Sequence, residues 1–529
     1  MPLAVAAFLL AVTVPAPGAL PGEDATPPSV PGSLDLDLRR LAQPETSPSA
    51  PARGPRHRPR VVPFDPAFRD PVAQTEAGEP RIPAPVLDIG GIGVNGFLPE
   101  PDPIGEVGPS HYVQVAGARF AIFSKAGATL VGSTLISSLW QGQPAGPCRD
   151  NNDGSGSVLY DPLADRFVLS HLPVPASNPR ICIAVSKTAD PVAGGFWLYQ
   201  FDLPAFASYP RLAVWPDAYF LGAEQAGDAL LGAFQRAPML SGAAAPAQFR
   251  TVALGDTLQG LLVPADLDGQ RPPAASAPAL YLRHVDGEAA TGADRLEIYE
   301  FDVDFTTPAN TTVTGPTSLA HAAFASLCGF STDCIPQPGT TQRLESWTEY
   351  PMWRLQYRNF AYHETLVGNH AVDAGGGRAG VRWFELRRLP AGAWTVRQDA
   401  TWAPGTEHRW MGSAALDQLG NLAVGCSTAS DTVFPSLRYA GRLAADPLNQ
   451  LSQGEGVLVN GGGSQLGGNV WGRVSALALD PVDDCTFWYT GEYFAASSAA
   501  SWSTRIGAFR FPGLCGDLLF RDGFQETGA

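Results

Sequence analysis

Residues 157–170, SVLYDPLADRFVLS, and residues 475–490, SALALDPVDDCTFWYT, carry one pattern twice. Each is an apolar run, a polar turn opened by Asp-Pro, and a second run rich in β-branched and aromatic residues. The turn chemistry is local. The carboxylates of Asp161 and Asp480 can accept from the turn backbone, and Pro162 and Pro481 preset its φ, so these residues need no catalytic role. Looser copies start at 105 (GEVGPSHYVQV), 211 (RLAVWPDAYFLGA), 358 (RNFAYHETLVGNH) and 413 (SAALDQLGNLAVGC). Neighbouring copies lie roughly 50 to 60 residues apart, within the range of blade-type repeats. The wide interval between 211 and 358 has room for one more. ALYLRHVDGEAATGADRLEIYEFDVDF (279–305) supplies strands there, with a longer turn.

The second copy reads as four strands: SVLYD, RFVLSHL, ICIAVS and FWLYQFD. A four-stranded sheet has two faces to cover, and stacking such sheets around an axis covers both. Seven copies therefore predict an all-β, seven-bladed β-propeller of four-stranded blades. Two packed β-sandwiches are the alternative, because strand count alone does not separate them. Around this core the chain divides into an apolar leader at 1–19, a Pro-rich linker at 20–82, the propeller at 83–515 and a tail at 516–529. Leu3–Val14 suits the apolar segment of a secretory signal peptide, although no basic residue precedes it. The linker contains PETSPSAPARGPRHRPR and is too poor in apolar residues to offset its ordering entropy, which predicts disorder.

Composition narrows the function. With 35 basic and 51 acidic residues the net charge is -16, which argues against a nucleic-acid binder, since that would need a basic stripe. It also disfavours docking on anionic lipid. No later stretch is long and apolar enough for a transmembrane helix. Seven cysteines fit an oxidising, extracellular or cell-surface location. Cys328 and Cys334 form the easiest local pair, Cys148 and Cys182 flank one hairpin, and Cys485 and Cys515 pair by elimination. Cys426, inside the apolar NLAVGC, is left as a buried thiol. The absence of any Cys-x-x-Cys disfavours zinc.

The segments DPIGEVGPSHYVQ, LYDPLADRFVLS, YPRLAVWPDAYF, RLQYRNF, HRWMGS, FPSLRYAGRLAADPL and DPVDDCTFWYTGEY resemble those of a group of large, functionally uncharacterised secreted bacterial proteins. The resemblance spans nearly all of 100–512 and implies a secreted repeat protein. It departs from the group's pattern at WGRVS (471–475), where Arg473 stands in place of an acidic residue. The last residues, GDLLFRDGFQETGA, resemble a short C-terminal tail of exported proteins of some Gram-negative bacteria.

In a propeller the loops entering the innermost strands converge on one face. These loops contain Cys148-Arg149-Asp150-Asn151-Asn152-Asp153-Gly154, Tyr209-Pro210-Arg211, Trp353-Arg354-Leu355-Gln356-Tyr357-Arg358, Glu407-His408-Arg409-Trp410 and Trp471-Gly472-Arg473. Arginines beside aromatics bind anionic or sugar-like ligands by forked hydrogen bonds and stacking. Arg211, Tyr357, Arg358, Arg409, Trp410, Trp471 and Arg473 are the candidate ligand residues, for a glycan or a protein partner. The competing reading is that they pack the rim and pair with one another. Asp150, Asn152 and Asp153 could hold a structural Ca²⁺, although Gly154 breaks the EF-hand order. Asp266 and Asp268 before Gly269 are a weaker version, better read as a solvated turn. No organic cofactor is indicated.

Two functional classes remain. The first is a secreted or surface-associated binding protein with its site at the rim. The alternative is a secreted glycosidase-like enzyme using rim carboxylates. For the second, Glu407 and His408 are the acid–base candidates. Asp150, Asp153 and Glu364 are further carboxylates, and Arg211, Arg358, Arg409 and Arg473 are a possible arginine cluster. No G-x-S-x-G elbow or H-E-x-x-H motif exists. His363 and His370 are read as turn and surface residues.

Overall fold

The computed structural model describes residues 26–41, 64–93, 101–152, 155–173, 179–255, 261–330 and 333–513. The leader at 1–19 and the tail at 516–529 lie outside the described residues, whose strands form six hydrogen-bonded sheets: three of four strands, two of five and one of nine, the last joining two blades, so that seven four-stranded antiparallel blades result, three of them with an added edge strand. Blade 1 runs from Ile104–Val107 to Thr129–Leu135, blade 2 from Gly156–Asp161 to Phe196–Asp202, and blade 3 from Ser208–Val214 to Ala245–Val252. Blade 4 runs from Val263–Asp268 to Thr312–Ala320, blade 5 from Leu355–Asn359 to Thr395–Trp402, and blade 6 from His408–Leu416 to Glu455–Val459. Blade 7 combines Ala476–Leu479, Phe487–Tyr493 and Ser503–Phe509 with Leu87–Gly93 as its outermost strand. This pairing ties the two ends of the repeat region into one sheet. Each first strand packs on the next, and the first strand of blade 7 packs on that of blade 1, so the ring closes. Blades 4 and 5 also hydrogen-bond directly, in parallel, from Ala265↔Leu355 to Asp268↔Arg358. The seven-bladed propeller is therefore the architecture.

The burial gradient follows from that geometry. The first strand of blade 2 is buried at every position, because a neighbouring sheet covers each face. The last strand of blade 4 is mostly exposed. A fully buried Leu, Ile or Phe contributes about 1.5–3 kcal/mol relative to exposure, so the apolar contacts between sheets hold the ring. The Asp-Pro turns form as their sequence requires. Asp161 Oδ1 accepts from Leu163 N and Asp480 Oδ1 from Val482 N, both at 3.0 Å. Each aspartate also reaches the following blade: Asp161 pairs with Arg236 at 2.6 Å, and Asp480 with Lys125 at 2.5 Å.

Two expectations need correction. The seventh repeat is not complete within 279–305, because its innermost strand is Val263–Asp268, upstream. The stretch 20–82 is not uniformly disordered. Thr26–Ser29 extends the outer edge of blade 3, Gly32–Leu34 that of blade 2, and Ala73–Gln74 that of blade 5. Outer edges leave rows of unpaired backbone groups, and an extended Pro-rich chain can cap such an edge. Burial of Leu34 and Leu38, and the Asp70–Arg382 ion pair at 2.9 Å, fix the segment in place.

Among the described residues no helix is long and apolar enough to cross a membrane. Cys148–Cys182 and Cys328–Cys334 are disulfides, and Cys426 is a buried free thiol. Cys485 is also disulfide-bonded, while Cys515 lies outside the described residues.

Candidate functional site: two mouths of one channel

The seven innermost strands define a channel with an entry mouth, where they begin, and an exit mouth, where they end. The expected single ring of arginines divides between these mouths and the spaces between blades.

At the entry mouth, Arg473 lies over the Trp347 ring at 4.7 Å and the Tyr209 ring at 5.4 Å. Trp347 stacks on Tyr350 at 4.6 Å, and Tyr209 meets both rings. Tyr350 Oη donates to Glu224 Oε2 at 2.6 Å. Burial first, then the Glu224 charge, holds the Tyr350 phenol well above its ordinary pKa, so it stays protonated. Arg211 lies close enough to feel Asp102, Arg473, Tyr209 and Tyr350. It is buried, and burial pushes its pKa down. Its one hydrogen bond runs to Pro210 O, at 3.1 Å, and its Nε has no partner. Arg473 Nε stands 3.7 Å from Glu345 Oε2, and Asp102 Oδ1 accepts from the Arg473 backbone at 2.6 Å. Gly472 N donates to Glu492 Oε2 at 2.6 Å, and a Cβ there would come within 2.8 Å of that oxygen, so a larger residue would displace the Glu492 carboxylate. Trp347, Tyr350, Glu224 and Glu345 were not read from the sequence as site residues. The available signal was RLESWTEYPMWR (343–354), an acidic and aromatic run that enters the blade 5 strand.

The other predicted ligand residues lie elsewhere. Arg358 sits at the end of its strand, not the start, and pairs with Asp484 at the exit mouth. Tyr357 points between blades: its Oη donates to Glu364 Oε1 at 2.5 Å and its ring meets Trp215 edge-on at 4.8 Å. Arg409 turns outward to Glu455 at 2.7 Å. Trp410 and Trp471 are fully buried, 5.9 Å apart, and Trp471 Nε1 donates to Ser427 Oγ at 3.1 Å. Of the four arginines considered for a cluster, only Arg211 and Arg473 come together.

Glu407 accepts from Thr428 Oγ1 at 3.2 Å. His408 Nδ1 accepts from Ala379 N at 3.2 Å, and burial lowers its pKa to about 4. This pair braces the start of blade 6. Asp150 closes its own turn, accepting from Gly146 N at 2.8 Å and pairing with Arg149 at 2.7 Å. Asn152 accepts from Ser137 N at 3.3 Å, and Asp153 lies outside the described residues. His370, read as a surface residue, is buried. Its ring stacks on His284 at 4.0 Å, and its Nε2 is 2.9 Å from His321 Nε2. His321 Nδ1 faces Asp399 at 2.9 Å, and His284 Nε2 donates to Thr348 O at 3.1 Å.

The exit mouth holds a cavity of about 230 Å³ lined by Glu106, Asp165, Asp268 and Asp484 with turn residues of blades 1, 2 and 7. Asp266 and Asp268 are buried, not solvated. Arg354 holds Asp266 at 2.7 Å and grips both oxygens of Asp268 at 2.7 and 2.8 Å. Gln356 Nε2 adds a bond to Asp268 at 2.7 Å. Burial raises the Asp266 carboxyl to about 6 against the pull of Arg354, and burial pushes Glu106 well above the carboxylate range. Glu106 lies in the repeat copy that starts at 105, where nothing set it apart from the rest of a short strand.

No family model matches this chain, and no curated protein does. Solved structures do. An ulvan lyase of polysaccharide lyase family PL25 is similar at 10% identity over 84% of this chain and 95% of its own, with a TM-score of 0.37. A Hadza microbial sialidase is similar at 10% identity over 76% and 73%, with a TM-score of 0.34. The WD40 domain of SCAP from fission yeast is similar at 9% identity over 76% and 81%, with a TM-score of 0.30. At such scores the likeness says nothing about chemistry, and the seven-bladed architecture stands on the strand pairings.

Proposed function

We propose that this chain is a secreted glycan-cleaving propeller whose reacting centre is the Tyr350–Glu224 pair at the entry mouth. The observation that carries this reading is the 2.6 Å hydrogen bond from a buried, protonated tyrosine to a carboxylate, beside two arginines. Tyr350 Oη would attack the anomeric carbon as its proton passes to Glu224, and the glycosidic C–O bond would break with protonation of the leaving oxygen. Water would then reverse the sequence and release the sugar. Tyrosine nucleophiles are one established departure from the two-carboxylate scheme. The half-buried Asp102 is the candidate acid for the leaving group. Arg211 and Arg473 define the substrate class as an anionic glycan, a uronate, sulfated or sialylated chain. Burial works against the Arg211 charge, and a bound carboxylate or sulfate would offset that cost. The half-buried Tyr209 ring is the candidate surface for a sugar ring.

Tyr350 is 3% exposed, so ligand entry requires the 336–352 segment to lift. The disulfides support export to an oxidising compartment. The test is product analysis of purified protein with a panel of anionic glycans. Turnover should fall by about 10²–10⁴-fold in Tyr350→Phe and in Glu224→Gln, and Arg211→Ala should weaken binding. Binding with no turnover in the wild type would make the chain a lectin-like module. Turnover unchanged in Tyr350→Phe would end the reading.

A further inference from the structure

Three buried histidines adjoin the segment that carries Tyr350, and the proposed reaction uses none of them. His284 comes from blade 4, His370 from blade 5, and His321 from the chain between. The His284 and His370 rings stack at 4.0 Å, and His370 Nε2 lies 2.9 Å from His321 Nε2. Phe324 meets all three rings edge-on. These contacts place three protons. Asp399, 2.9 Å away, draws one to His321 Nδ1, so His321 Nε2 accepts from His370 Nε2. The third sits on His284 Nε2, which donates to Thr348 O at 3.1 Å. The Nδ1 atoms of His284 and His370 are left as buried lone pairs with no hydrogen-bond partner.

Thr348 is where this cluster meets the entry segment. Its carbonyl takes the His284 bond, and its Oγ1 donates to Ala371 O at 2.8 Å and accepts from Leu327 N at 3.3 Å. Trp347 precedes it with a φ of 55°, a left-handed conformation that bulky residues rarely adopt. Such a conformation persists only where the surrounding bonds hold it. Tyr350 follows two residues later.

We propose that the histidine cluster is an acid-released latch on the entry segment: the neutral rings hold Thr348 in place, and protonation of the stacked pair frees residues 346–352 and uncovers Tyr350. A proton added at either Nδ1 puts a charge inside a buried stack. Added instead at His321 Nε2, it sets two N–H groups against each other and ends the 2.9 Å bond. The charges nearest the stack do not relieve this. His284 feels Arg283, which Glu297 holds at 2.8 Å, and His370 feels Arg382, which Asp70 holds at 2.9 Å. Asp399 and Asp294 act on His321 instead. Burial, then His321, lowers His284 to about 3. Burial, then His284, His321 and Arg382, holds His370 well below its ordinary value, against the weaker pull of the Ala371 backbone. In the lifted state water solvates the rings and restores a pKa near ~6.5. A histidine depressed in the closed state therefore favours closure above that value and loses this as pH falls. Use of the latch to admit substrate rests on the Tyr350–Glu224 reading; the latch itself does not.

The test is hydrogen exchange of the full chain, resolved by peptide, at pH 6.5 and pH 5. Protection factors are compared, so the pH dependence of intrinsic exchange cancels. His284 alone should lower protection of 346–352 by about 15-fold over this interval, and His370 should add to it. The exit turns at 161–165 and 480–484 should change far less. Unchanged protection of 346–352 would overturn the proposal, as would an equal fall at both mouths, which is general acid loosening. The double variant His284→Gln, His370→Gln keeps an amide donor for each bond that these rings donate. With the circular dichroism of the wild type, it should lose the pH dependence of 346–352, and the wild-type dependence surviving in it would also overturn the latch. The wild-type profile decides even where the variant does not fold. No glycan enters the measurement, so a failed latch and a failed reaction centre are told apart.

Discussion

The two mouths of the channel use the same residue types to opposite ends. At the exit, guanidinium groups lie buried within carboxylates, and Arg354 and Arg358 are each held by two or three side-chain bonds. At the entry, Arg473 rests on aromatic faces and Arg211 keeps a single backbone bond. The exit arrangement is a structural girdle across blades 1, 4, 5 and 7. The entry arrangement sets two arginines among aromatic rings and acids. The partners each arginine meets therefore decide its role, not the presence of an arginine: Arg354 stands just before its strand yet reaches the exit carboxylates.

The largest test of that contrast removes one arginine from each mouth. Arg354→Met should destabilise the fold by about 3–5 kcal/mol, the cost of stranding a buried charge, read from denaturant midpoints at constant m-value. Arg473→Met loses two cation–π contacts and a longer ion pair, and should cost about 1–2 kcal/mol. If both variants cost the same, the division between girdle and ligand surface is wrong.

A smaller effect is expected from the entry segment itself. Cys328 and Cys334 close a six-residue loop at the base of the segment that carries Trp347 and Tyr350. Loop-closure entropy puts such a link at about 2 kcal/mol. The double variant Cys328→Ser, Cys334→Ser should lose that much and gain protease cleavage between 321 and 354. The exit turns should remain uncut. Cleavage spread evenly over both mouths would remove the reason to treat the entry segment as a separate, liftable unit.

Much of this organisation was legible because a blade is a local object. The Asp-Pro turns, the four-strand rhythm and the disulfides Cys148–Cys182 and Cys328–Cys334 all lie within a few tens of residues. What escaped depends on distant partners. Leu87–Gly93 becomes a strand by pairing with Ser503–Phe509, more than 400 residues away in the chain, although its own sequence, LDIGGIG, reads as weak. Val263–Asp268 contains Pro264, which demotes it on propensity, yet it is the innermost strand of blade 4. The site failed for a related reason. Tyr357 and Arg358 are adjacent and therefore face opposite sides of their strand. They could not share a rim, and alternation alone was enough to say so. Which face looks into the channel was not readable, because it depends on the ring.

The smallest expected effect concerns protons, and here the mouths respond with opposite signs. Burial lowers His284 to about 3, and His171 and His408 to about 4, all on the entry side of their blades. A histidine depressed in the fold contributes stability above its unfolded pKa, about 6.5, and loses it as pH falls toward the folded value. At the exit, Asp266 is raised to about 6, so its contribution is present at low pH and lost as pH rises through that value. Between pH 7 and 6 each entry histidine should therefore cost ~0.7 kcal/mol, partly masked in the total by Asp266. His284→Gln isolates the entry term, since an amide nitrogen can still donate to Thr348 O without titrating. Its unfolding free energy should fall less than that of the wild type over this interval, by about the amount of one histidine. An identical pH slope in the two proteins would mean that the stacked His284–His370 pair already shares a proton in the fold, and the entry side would then be charged before any ligand arrives.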